Sequence, residues 1–161
     1  MKTRFYFFIL FTFVTFSTQA QFSSVKKSLG QKSLIDRYVD FLTEEGYGPE
    51  VDDDGDVKFQ YNERTYYITI DNDDPDFFRV ARLANLKLSD PAKITQAKEI
   101  CHQVTRDVKV AKVYWLKGVI WTSSEQIMAN PDDFESIFAR TMRLTDSAYT
   151  KFVQAWKDRD Q

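Results

Sequence analysis

Residues 57–71, VKFQYNERTYYITID, decide the fold. Val57, Phe59 and Tyr61 alternate with Lys58 and Gln60, and Asn62-Glu63 supplies a two-residue turn. Thr65 to Asp71 then returns with Tyr66, Ile68 and Ile70 on one face and Tyr67 and Thr69 on the other. Successive side chains of a strand point to opposite faces, so this stretch reads as a hairpin with one face to bury. A lone hairpin is marginal in water, and the rest of the chain must supply more strands and a second layer.

Upstream, Leu34, Ile35, Tyr38, Val39 and Leu42 recur at helical spacing, behind Ser33 as N-cap and ahead of Gly46 as a left-handed stop. Downstream, Asn72-Asp73-Asp74-Pro75-Asp76 is a turn and Phe77 to Leu88 a third extended segment. Asp90-Pro91 opens a second helix with the narrow stripe Ile94, Ala97, Cys101 and Val104. Val108–Leu116 and Val119–Met128 read as strands joined at Lys117-Gly118. Asn130-Pro131 opens a long final helix whose inner residues are Phe134, Ile137, Phe138, Thr141, Leu144 or Thr145, Ala148, Phe152 and Trp156. Strands joined by turns this short must run antiparallel, because a parallel return needs a crossover of a dozen residues. The expected fold is α+β, a single antiparallel sheet of about five strands with helices packed on it, in the order α-β-β-β-α-β-β-α. Ile137, Phe138 and Phe152 should meet Tyr66 or Ile68 across that core.

The start of the chain reads differently. Lys2 and Arg4 precede an apolar run from Phe5 to Phe16, and Thr18 and Ala20 give a small-x-small cleavage site. That is the form of a secretory signal peptide over residues 1–20, and a run of twelve residues is too short to span a bilayer. Residues 21–32 are a loose polar lead-in, and 33–158 form one domain. The expected location is therefore the periplasm or the medium, with no membrane span after cleavage.

Composition removes several function classes. The 161 residues carry 22 Lys+Arg against 24 Asp+Glu, a net charge of −2, which is not the basic balance of a nucleic-acid binder. One Cys excludes an internal disulfide and any multi-cysteine metal site. The single His, His102, follows Cys101 directly, and helix neighbours project too far apart to make a nucleophile–base pair. No nucleophile elbow, phosphate-cradling glycine loop or zinc-protease motif is present. The acidic runs Asp52, Asp54, Asp56 and Asp71, Asp73, Asp74, Asp76 lie in turns, where Asp bonds its own backbone, and neither has the spacing of a wrapped Ca²⁺ loop. Neither a catalytic residue, a metal nor a cofactor is expected.

The aromatics carry the remaining signal. The strand face away from the helices holds Tyr67, Trp121 and either Tyr114 with Leu116 or Val113 with Trp115. Such a face is either a protein interface or a second buried layer. Tyr67, Tyr114 and Trp121 are the candidate partner-binding residues. The alternative is a small-ligand or enzymatic pocket between the sheet and the final helix.

The chain resembles the YbjN-type family, a branch of the type III secretion chaperone-like fold. The likeness rests on element order over residues 33–157 and on three local features: Glu45-Gly46-Tyr47 after the first helix, the hairpin strand Tyr66–Asp71, and Asp74-Pro75-Asp76-Phe77-Phe78 leading into the third strand. The resemblance implies a frequently dimeric, non-catalytic domain that binds other proteins, chaperone-like or regulatory. It also implies a two-fold homodimer made by the half of the chain that contains Tyr114 and Trp121.

Overall fold

The computed structural model describes residues 33–159. The signal-peptide and lead-in assignments, residues 1–32, lie outside the described residues.

Helix α1 (Leu34–Glu44) starts on a reciprocal cap: Ser33 Oγ accepts the Asp36 N–H at 3.1 Å, and the Asp36 carboxylate accepts the Ser33 N–H. It ends where Gly46 takes φ +79° and the Tyr47 N–H reaches back to Leu42 O at 2.8 Å. That closure aims Tyr47 at Phe59 and Phe138, 6.1 and 5.6 Å away between ring centres. Strands β1 (Glu50–Val51), β2 (Val57–Tyr61), β3 (Arg64–Thr69) and β4 (Phe77–Asn85) follow, then helix α2 (Pro91–Asp107), strands β5 (Ala111–Leu116) and β6 (Val119–Ile127), and helix α3 (Phe134–Arg159). The class is α+β, with every strand pair antiparallel in the order β1-β2-β3-β4-β6-β5.

The sheet thus has six strands where about five were expected. The addition is β1, two residues that pair with Val57 and Lys58 across the Asp52–Asp56 turn. Both tight hairpins fall where the turn residues put them. Asn62 and Glu63 have φ +50° and +61°, Lys117 and Gly118 +48° and +89°, the pair of left-handed residues that matches strand twist. The two acidic turns are closed by their own carboxylates: Asp52 Oδ1 accepts the N–H groups of Asp54 and Asp56, and Asp71 Oδ1 those of Asp73 and Asp74.

Among the described residues all three helices lie on one face of the sheet, over two apolar clusters. The first joins Tyr38 and Leu42 of α1 to Phe59, Tyr66, Ile68, Phe78 and Val80 of the sheet and to Phe134, Phe138 and Met142 of α3. The second joins Ala97, Ile100, Cys101 and Val104 of α2 to Val113, Ile120, Ala148 and Phe152. Phe138 and Phe152 are buried as expected, while Ile137 is only half-buried at the margin of the first cluster. Of the two candidates at one position of α3, Thr145 faces inward and is fully buried.

Between the clusters runs a polar seam. Thr145 Oγ1 bonds Ser124 Oγ at 2.8 Å and its own turn at Thr141 O, and the Gln126 amide donates to Thr141 Oγ1 at 2.6 Å. Ser124 and Gln126 alternate inward on β6, so the seam is built by strand period on one side and helix period on the other. At the margin of the sheet, Thr105 of α2 clamps β5: its Oγ1 accepts the Val113 N–H and donates to Val113 O, both at 2.8 Å. The short α2–β5 link forces Val110, a β-branched residue, to φ +70° with half its surface exposed.

Candidate functional site

No described helix lies on the other face of the sheet. Register fixes what stands on it: Tyr67 lies beside Ala81, Ala81 beside Ser123 and Ser123 beside Lys112, and in the next row Leu83 lies beside Trp121 and Trp121 beside Tyr114. A third row adds Val119 and Leu116. Val113 and Trp115 point the other way, into the second cluster, which resolves the ambiguity of β5 in favour of Tyr114 and Leu116.

Tyr114 and Trp121 are stacked, ring centres 6.1 Å apart and planes 13° from parallel, an arrangement produced by their direct cross-strand pairing. Leu83 and Leu116 flank them at 36% and 44% exposure. Tyr67 shares the face but not the stack. It stands two strands from Trp121, roughly 10 Å away at the usual strand spacing. Beyond this apolar end the face becomes charged: the Lys112 ammonium pairs with Glu125, and Arg79 approaches the same carboxylate at 4.0 Å while lying over Phe77.

The patch continues around the β5 margin into a groove of about 300 Å³ lined by Lys98, Cys101, His102, Thr105, Val113, Tyr114 and Trp115. The single Cys and single His therefore share one groove. Cys101 is nonetheless buried, and burial pushes its thiol up to about 12, which keeps it protonated and unreactive at neutral pH. The region between the sheet and α3, where an alternative pocket was expected, holds the Ser124–Thr145–Thr141–Gln126 seam. A cleft of about 180 Å³ opens at its margin, beside Val110, Ile137, Arg140 and Leu144. No helix among the described residues is long and apolar enough to cross a membrane, and no group of three or more metal-ligating side chains occurs among them.

A second cluster was not anticipated from the sequence. Arg64 and the Tyr66 hydroxyl both donate to Asp146 Oδ1 of α3, at 2.7 and 2.6 Å. Burial and this carboxylate together raise the Tyr66 phenol well above its ordinary range. Arg82 lies over the Tyr149 ring at 4.0 Å and over Tyr66 at 5.6 Å. The sequence did hold a signal for it. Arg79 and Arg82 are three residues apart on one strand, so they must face opposite sides, and one of them had to stand on the helix side.

Fold and register define a two-layer α+β domain, with one sheet face that no described helix covers. No protein-family model and no curated protein matches the chain. Among solved structures it is similar to YbjN of E. coli, a protein proposed to be a transcription regulator. The TM-score is 0.59 with 8% identity, over 80% of this chain and 97% of that one. The fold is YbjN-like, as the element order and local features implied.

Proposed function

We propose that the domain is a non-enzymatic protein-binding module, exported to the periplasm or the medium, that docks a protein partner on its open sheet face. The observation that carries this reading is the Tyr114–Trp121 stack within an apolar patch on a face that no described helix covers. Large amphipathic rings at the centre of a patch, rimmed by charge, are what protein interfaces favour. The likeness to a protein proposed as a regulator supports a binding role, and the protonated Cys101 argues against nucleophilic chemistry in the adjoining groove.

The partner is either a different protein or a second copy using the same patch in an isologous contact. Light scattering on the mature chain at micromolar concentration separates the two, since a single-chain mass removes the homodimer. The test of the face itself places a photo-crosslinking residue at Tyr114 and, as a control, at Lys151 on the exposed side of α3. Adducts from 114 that disappear in the Trp121→Ser background are expected. Equal crosslinking from both positions, or none from 114, would refute the reading.

A further inference from the structure

We propose that Arg82, with Arg64 beside it, forms a site for a single oxyanion group, a carboxylate or a phosphate, at the junction of β3, β4 and α3. The charges there do not balance. Asp146 Oδ1 is engaged by both Arg64 and the Tyr66 hydroxyl. The Arg82 side chain makes no ion pair or hydrogen bond within the described residues, and its guanidinium lies over the faces of Tyr149 and Tyr66. Tyr149 therefore gathers two guanidinium groups, Arg82 at 4.0 Å and Arg64 at 5.7 Å from its centre, and of the two only Arg64 is paired with a carboxylate.

The geometry is that of a held receptor. A guanidinium lying on an aromatic ring is fixed in plane, and its edge N–H groups remain available in the fork that matches carboxylate and phosphate oxygens. Arg82 Nε is buried without an acceptor, and so is the hydroxyl of Thr122, directly opposite across the strand pair. The charge is thus held partly out of water, where its attraction to an anion is stronger than at a fully wetted surface. Its terminal nitrogens are not among the fully buried unpaired atoms, and the residue as a whole is half-buried. An arginine facing only rings, beside a second arginine, gains a counter-charge when an anion arrives and loses no existing ion pair.

The experiment is an NMR titration of the arginine Nε–H resonances of the domain, with inorganic phosphate in one arm and succinate in the other. Sodium chloride of equal ionic strength is the reference. Saturable shifts of the Arg82 and Arg64 signals, absent from exposed Arg106, are expected in at least one arm, and the arm that responds identifies the anion. Arg82→Lys keeps the charge but loses the fork, and should weaken the response about tenfold or more. The wild-type titration stands even if that variant folds poorly. Linear shifts equal to those in chloride, or shifts of Arg106 as large as those of Arg82, would show only screening and overturn the site.

Discussion

Replacing Tyr38 by Phe removes one oxygen from the centre of the first apolar cluster. The Tyr38 side chain is fully buried, its ring stands edge-on to Phe134 at 4.7 Å and tilted on Phe78 at 5.8 Å, and its hydroxyl has no partner among the described residues. An unsatisfied buried hydroxyl costs about 1–3 kcal/mol, whereas the ring contacts survive in Tyr38→Phe and the space left is a single atom. The variant should therefore be more stable by about 1 kcal/mol at pH 7, raising Tm by about 3–5 °C.

Alkali should widen the gap. Burial pushes the Tyr38 phenol from 10.0 up to about 12, with nearby Arg37 opposing part of the rise. Between those values the unfolded chain has released the proton and the folded chain still holds it. Fewer protons are bound in the unfolded state, so the wild type loses stability as pH rises through this window, by up to about 1.4 kcal/mol per pH unit for this group. Tyr38→Phe has no such proton to lose. Urea unfolding of both proteins at pH 7 and in steps from pH 9 to 11 measures the difference. A variant less stable at pH 7, or a gap that stays constant into alkali, would refute the reasoning.

Three further outcomes are expected. Phe138→Ala, which empties a buried site among Phe41, Phe59 and Tyr47, should cost roughly 3–5 kcal/mol, and an unchanged melting curve would mean that the inner face of α3 is misassigned. Val110→Asn relieves a β-branched residue at φ +70° and should stabilise by about 1 kcal/mol in a urea titration, with a loss of stability counting against the strain. Millimolar Ca²⁺ should leave Tm unchanged, because the Asp52 and Asp71 oxygens already serve their own turns; a clear rise would show ligation there.

The parts of the fold that were legible in the sequence are those fixed locally. Ser33 and Asp90 sit at helix starts, and Asn130 at the start of the 3-10 turn Pro131–Asp133 that leads into α3, because each side chain accepts a backbone N–H of the first turn. Asn62-Glu63 and Lys117-Gly118 mark hairpins because both residues of each pair adopt left-handed conformations. Strand β1 was not legible, since two residues carry no period and become a strand only by pairing with β2. The face of β5 stayed open because AKVYWL has apolar residues at both parities, and only the opposition of Tyr114 to Trp121 decides it. The Arg82 cluster needed tertiary structure, for its rings come from β3 and α3, more than sixty positions apart.

The clamp at Thr105 bears on how the molecule behaves in a crowd. Strand β5 borders the sheet, and a border strand ordinarily offers a row of peptide groups to any extended chain that drifts past. Here the middle of that row is already spoken for, because a hydroxyl from the chain's own helix takes the place that a foreign backbone would need. The far border ends in the two-residue β1, too short to template growth. Strand addition by a second copy is thereby disfavoured at both borders, and what the sheet can offer another molecule is the side chains of its face rather than the backbone of its rim.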